Sequence, residues 1–127
     1  ILSQKQEFVQ NNKAIGHVYR NGEVIIKQGT LGDCLYVIQE GKVEVVLEKE
    51  DEELIVAELG KSEFFGEMGL FESDVRSCTV RALGHAQILT VDKRNFYESI
   101  QSDASLAYRL LEKMSNRLRE ANLKIQV

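Results

Sequence analysis

All nine glycines of this 127-residue chain lie before residue 85, and short runs of β-forming residues fill the gaps between them. Glycines spaced this way cut a chain into short strands. Each permits a turn, and the Val-, Ile- and Leu-rich intervals favour extended backbone. Asn21-Gly22 is a hairpin signal. After it, strands are expected at 23–28 (EVIIKQ), 34–39 (CLYVIQ), 42–48 (KVEVVLE), 54–59 (LIVAEL), 78–83 (CTVRAL) and 86–92 (AQILTVD). Residues 29–33 read as a loop, Gly41 as a turn and the acidic 49–53 (KEDEE) as a solvated hairpin tip. Apolar and charged residues alternate through 42–48, the period of a half-buried strand. Short strands at this spacing predict a β-sandwich or barrel.

The period changes at residue 92. Asp92 is an N-cap for a helix carrying Phe96 and Ile100 four residues apart. Ser102 or Asp103 can cap a second helix from about 104 to the end. On that helix Ala107, Leu111, Met114, Leu118, Ala121 and Ile125 alternate spacings of four and three, a short heptad-like seam suited either to the core or to a partner helix. Residues 1–17 form a helical or loop segment. No proline and no linker composition interrupts the chain, so residues 1–127 read as one domain. The start at Ile1 fits a piece of a longer protein.

Charge and composition exclude several functions. The net charge of −4 lacks the basic footprint that phosphate backbones require, so direct nucleic-acid binding is not expected. The imbalance is local: residues 1–64 hold seven basic and twelve acidic residues, and residues 65–127 hold nine and eight. Arg109, Lys113, Arg117, Arg119 and Lys124 read as a solvated helix face. Cys34 and Cys78 are well separated and read as small buried thiols of a reducing, cytoplasmic compartment. His17 and His85 read as surface residues, and no Cys/His/carboxylate cluster has metal-ligand spacing. No continuous apolar run is long enough to span a membrane, so no membrane contact is expected. Neither a nucleophile–base pair nor a Walker or GxGxxG motif is present, so no enzyme is expected.

The segment FGEMGLFESDVRSCTV, residues 65–80, carries the chemistry. Gly66 and Gly69 sit where strand gives way to a short helical turn at 67–71, whose free backbone N–H groups can cradle an anion. Arg76 adds a planar donor fork suited to phosphate, and Ser77 adds a hydroxyl. Glu67 would repel a phosphate and therefore suits another part of the same ligand, such as a hydroxyl donor. Taken alone, Glu67 and Arg76 also read as a structural ion pair. Arg81 reads as a solvent-facing strand residue or a second phosphate contact.

The segment resembles the phosphate-binding cassette of cyclic nucleotide-binding domains, which runs Phe-Gly-Glu-(Leu/Met)-(Ala/Gly)-Leu, a variable loop, then Arg-(Ser/Thr/Ala)-(Ala/Cys)-Thr-Val. The match is especially close to the short cassette of the family's catabolite activator branch. GTLGDCLYVIQEGKVEVV, residues 29–46, resembles the family's second, glycine-spaced signature. The resemblance spans roughly residues 18–120. It implies a mainly β fold with flanking α: an antiparallel, jelly-roll-like β-roll over 18–92, a short cassette helix and two C-terminal helices over 93–127. It implies cAMP or cGMP as regulatory ligand and no metal. Glu67 would accept from the ribose 2′-hydroxyl and Arg76 would pair with the cyclic phosphate. Gly66, Met68, Gly69, Ser77 and Cys78 would complete the phosphate shell. Val45, Val56 and Leu59 would face the base, and Asn122 would act as a lid residue. Ser77 in place of Thr favours cAMP. The cassette loop lacks the proline of many members, and Ala121-Asn122 departs from the activator branch's hydroxyl pair. The implied role is a sensor that signals through its last helix to an effector such as a transcription regulator, as a homodimer. The alternative is a β-roll that has lost its ligand and acts as a dimerising scaffold.

Overall fold

The computed structural model describes residues 15–71 and 74–125, except for the side chains of 71 and 121–125. Its strands are β1 (His17–Tyr19), β2 (Val24–Ile26), β3 (Leu31–Gly32), β4 (Cys34–Lys49), β5 (Glu52–Leu59), β6 (Phe64–Phe65), β7 (Asp74–Val75) and β8 (Thr79–Asp92). Its helices are α1 (Met68–Phe71), α2 (Lys93–Ser102) and α3 (Ser105–Ile125). The fold is mainly antiparallel β with flanking helices, as expected. One six-stranded sheet runs β1-β8-β4-β5, with β2 also on β8 and β6 also on β4, and β3 and β7 form a separate two-stranded pair. The expected segment at 1–17 lies largely outside the described residues, but His17 already belongs to β1.

Two long strands hold the sheet together. β4 and β8 pair from Cys34↔Asp92 to Val46↔Thr79, with irregular register between Ile38 and Lys42. Gly41 is therefore no turn. It has φ 85°, and a side chain there would run into the His85 carbonyl, so the strand bulges and continues. The expected break between 83 and 86 is likewise absent, since β8 continues through Gly84. Asn21-Gly22 does not make a hairpin either. β1 and β2 both pair with β8, not with each other. The turn is pinned to the sheet instead: Gly22 N–H donates to the Ala82 carbonyl at 2.8 Å, and Asn21 Oδ1 accepts from Gly84 N–H at 2.8 Å. The loop expected at 29–33 includes the short strand β3. The acidic tip is confirmed, with β4 and β5 pairing out to Lys49↔Glu52.

Alternation along β4 divides the core. Leu35 and Val37 join Phe64, Val91, Phe96, Leu106 and Leu110 beneath the helices. Ile38 and Val43 join Ile26, Phe65, Val80 and Ile88 on the other side. Neighbouring Phe64 and Phe65 thus anchor opposite sides, and the cassette leaves β6 at their junction. Asp92 caps α2, accepting from Asn95 N–H at 2.8 Å. Asp103 closes that helix and opens α3, with Oδ1 accepting from Ser105 N–H at 2.9 Å. α3 packs by Leu106 and Leu110, with Ala107 and Met114 alongside, whereas the seam residues Leu111 and Leu118 are 68% and 67% exposed. The described part of the seam is therefore split between the core and solvent, and the side chains of Ala121 and Ile125 lie outside those described.

Candidate functional site

A cleft of about 430 Å³ opens where the β4–β5 sheet, the β6–α1 turn, the start of β8 and helix α3 meet. Val45, Val56 and Leu59 line it, as do Gly66, Glu67, Met68, Gly69, Arg76, Ser77 and Cys78. Ten of the eleven expected site residues thus share one cavity. Asn122 falls among the side chains outside those described. Ile26, Ala57, Phe65 and Val80 add to the apolar wall, and Asp74, Val75, Lys113 and Arg117 complete the rim.

Arg76 is 8% exposed, yet among the described residues no carboxylate pairs with it. Its Nη1 donates to the Gly66 carbonyl and its Nη2 to the Cys34 carbonyl, each at 2.7 Å. Its backbone is fixed too, since Arg76 N–H donates to Thr30 O and Gly29 N–H donates to Arg76 O, both at 2.8 Å. The side chain lies against Gly32, where any Cβ would overlap the guanidinium. At Gly69 a Cβ would come within 2.9 Å of Nη1. Two glycines therefore leave the channel that this arginine fills. Among the described residues this buried guanidinium is held by neutral carbonyls and has donors to spare, an arrangement that suits an anion in the cleft.

Glu67, on the turn between β6 and α1, is 2% exposed. It does not pair with Arg76, so the simple ion pair is not what holds the cassette. Arg117 Nη1 lies 3.0 Å from Oε1, and Lys113 Nζ lies 3.4 Å from Oε2. The Arg117 ion pair lacks hydrogen-bond alignment, so Oε1 is a buried acceptor with no hydrogen-bond donor among the described residues. Lys113 also donates to the Phe64 carbonyl at 2.8 Å and sits 4.8 Å above the Phe64 ring. Burial pulls the Lys113 ammonium below its ordinary pKa, with the Glu67 charge opposing that shift. Below the cassette Tyr36 stacks on Phe65 at 5.2 Å, and burial, with a hydrogen bond to Cys34, raises its phenol pKa.

Lys113 and Arg117 correct the expectation of a solvated basic face on the last helix. They are four residues apart and flank the stripe that packs on the core, so docking α3 turns both toward Glu67. That spacing beside Leu110 and Met114 was the available signal, and only the tertiary docking distinguishes it from an ordinary exposed pair. Arg81 is no cleft residue. It pairs with Glu44 at 2.7 Å and Glu53 at 3.1 Å on the sheet, and the Glu44 bond raises its pKa. Cys34 is buried as expected, whereas Cys78 is only half-buried, just ahead of β8 at the cleft wall. His17 and His85 are exposed.

The profile of the cyclic nucleotide-binding domain family matches residues 17–103. The chain belongs to the cyclic nucleotide-binding domain family. Relatives and solved structures agree with this. The chain is 32% identical over 123 residues to the cAMP-activated global transcriptional regulator Vfr of Pseudomonas aeruginosa, covering 90% of this chain and 58% of the relative. It is 38% identical over 87 residues to the cAMP-dependent protein kinase type II regulatory subunit of Drosophila melanogaster, covering 66% of this chain and 23% of that one. The crystal structure of Thermus thermophilus catabolite activator protein superposes with a TM-score of 0.80 at 28% identity, covering 98% of this chain and 59% of that one. This cyclic nucleotide-binding domain thus has a fold like that of the activator protein and spans well under two thirds of each of these relatives. Among the described residues no group of His, Cys, Asp and Glu is placed to hold a metal ion, and no helix is long and apolar enough to cross a membrane.

Proposed function

We propose that the chain is a single sensor domain that binds a cyclic nucleotide in this cleft, cAMP in preference to cGMP, and relays its presence through α3 to an effector outside these residues. The observation that carries the reading is Arg76, a buried guanidinium with no carboxylate partner among the described residues, facing a cavity of about 430 Å³. The cyclic phosphate pairs with Arg76, assisted by Ser77 and by the backbone around Gly66, Met68, Gly69 and Cys78. The ribose 2′-hydroxyl donates to Glu67, whose Oε1 has no hydrogen-bond donor among the described residues. The base lies against Val45, Val56 and Leu59, and Asn122 serves as lid. Ser77 and the names of the Pseudomonas and Drosophila relatives, both cAMP-responsive, support cAMP. The Pseudomonas relative and the superposed activator protein support a transcription regulator as the effector, acting in the cytoplasm as a homodimer through the exposed Leu111 and Leu118. The net charge of −4 supports the absence of direct nucleic-acid contact by this domain. The cassette touches α3 through Glu67, so a nucleotide that binds better in one placement of that helix shifts its population.

Thermal unfolding with added nucleotide tests the preference. A ligand of the native state raises the midpoint in step with its affinity. The midpoint should rise most with cAMP, less with cGMP and little with 5′-AMP. Equal shifts with cAMP and cGMP would remove the preference. No shift at millimolar nucleotide would favour the ligand-free dimerising scaffold.

A further inference from the structure

Glu67 presents its two carboxylate oxygens in different environments. Oε2 faces Lys113 Nζ at 3.4 Å, while Oε1 pairs with Arg117 Nη1 at 3.0 Å but accepts no aligned hydrogen bond among the described residues. Lys113 is anchored at a second point on β6, just ahead of the cassette, donating to Phe64 O at 2.8 Å, and its charge lies over the Phe64 ring. Phe64 is 6% exposed and belongs to the same buried cluster as Leu106 and Leu110 of α3. One ammonium therefore ties helix, β6 backbone and carboxylate together at a place where the core fixes all three. Its flexible stem and compact charge suit a tether between a carbonyl and a carboxylate.

We propose that Lys113 is a positioning residue for nucleotide recognition: it docks α3 on β6 and the cassette through Phe64 O and Glu67 Oε2, and so orients Oε1 to accept from the ligand's hydroxyl. The Lys113 contact and hydroxyl recognition then use opposite oxygens of one carboxylate, while Arg117 contributes charge beside Oε1 without an aligned hydrogen bond. Other charged groups at the site are consistent with this. Arg117 Nη1 forms an ion pair with Oε1 at 3.0 Å without an aligned hydrogen bond, Asp74 stands exposed at the rim, and Arg76 is engaged with the carbonyls of Gly66 and Cys34. Without Lys113, Oε2 loses its ammonium and Arg117 is the remaining cation of α3 at Glu67. Either the carboxylate rotates or Arg117 closes on Oε1, and both weaken the bond to a hydroxyl.

The inference rests on the nucleotide reading of the cleft, and its test separates the two. Binding of cAMP and 2′-deoxy-cAMP is measured for the unaltered chain, for Lys113→Met, which keeps the apolar stem, and for Lys113→Arg. In the unaltered chain loss of the hydroxyl should weaken binding roughly tenfold or more, as for a hydrogen bond to a charged group. In Lys113→Met that ratio should fall toward one, and Lys113→Arg should restore much of it, the signature of coupling between two groups. A general loss of packing would weaken both nucleotides equally and leave the ratio intact. Amide hydrogen exchange of the ligand-free chain is the second arm. Lys113→Met should speed exchange in α3 and leave β4 and β8 protected. If cAMP binds but both the ratio and the exchange of α3 are unchanged, Lys113 is not a positioning residue and the nucleotide reading stands. If neither nucleotide binds the unaltered chain, the nucleotide reading fails and the hydroxyl half of this inference with it, while the exchange of α3 still decides the docking half.

Discussion

Arg76 occupies a channel that two glycines leave open. A methyl group at Gly32 would overlap the guanidinium, so Gly32→Ala should displace Arg76 without touching the ligand. Its affinity for cAMP should fall about as far as in Arg76→Ala, roughly tenfold or more. The double variant should be no weaker than Arg76→Ala alone, because both changes remove one interaction. An equilibrium binding assay on the three variants checks this, and additive losses would mean that Gly32 acts by another route. The chemistry at this scale was legible in the sequence. Gly66, Glu67, Gly69, Arg76 and Ser77 suggested an anion cradle beside a hydroxyl acceptor, with a structural ion pair as the alternative, and the structure brings them together in one cleft without that pair. Lys113 and Arg117 were not legible, because a charged pair four apart on a helix looks the same whether it meets water or a buried carboxylate. Only the burial of Leu106 and Leu110 settles which way they face.

At the scale of elements, the strands were legible where apolar and polar residues alternate, as in 42–48, and α2 was legible from its cap. Strand continuity was not, because a glycine at positive φ marks a bulge as readily as a turn. Gly41 and Gly84 are bulges inside β4 and β8. The far end of β4 is fastened by a polar cluster. Thr79, 2% exposed, donates to Glu48 Oε2 at 2.8 Å and accepts from Gln28 N–H at 3.0 Å, while Lys27 Nζ reaches Glu48 at 2.8 Å. The hydrogen bond from Lys27, then that from Thr79, lowers the Glu48 pKa. A carboxylate lowered on folding stabilises fully above its unfolded value and loses that contribution as pH falls. Stability should therefore decline as pH drops below the ordinary glutamate value of about 4.3 toward the lowered folded value. Glu48→Gln should flatten this part of the profile, as chemical denaturation across that pH range would read out. Within α3, Leu110→Ala should destabilise the domain by about 2–5 kcal/mol, since Leu110 is 3% exposed in the cluster that docks the helix.

For the whole molecule, the β-roll supplies a two-sided core, and in the proposed relay the last helix is the part that shifts. Leu111 and Leu118 remain on its outer side, 68% and 67% exposed. In the proposed homodimer they form the seam, so Leu118→Glu should shift the chain toward monomer in sedimentation equilibrium and remove the concentration dependence of its thermal midpoint. An unaltered chain that is monomeric at every concentration would instead remove the dimer from the account of Leu118. Signalling follows if the nucleotide binds more tightly in one placement of α3, and the Glu67 carboxylate is where cassette and helix meet.

The most direct test of the central claim is a calorimetric titration of the chain and its Arg76→Ala variant with cAMP. The account predicts one site of micromolar or tighter affinity in the chain and a loss of roughly tenfold or more in the variant. No binding at millimolar cAMP, or equal affinity with and without Arg76, would contradict it.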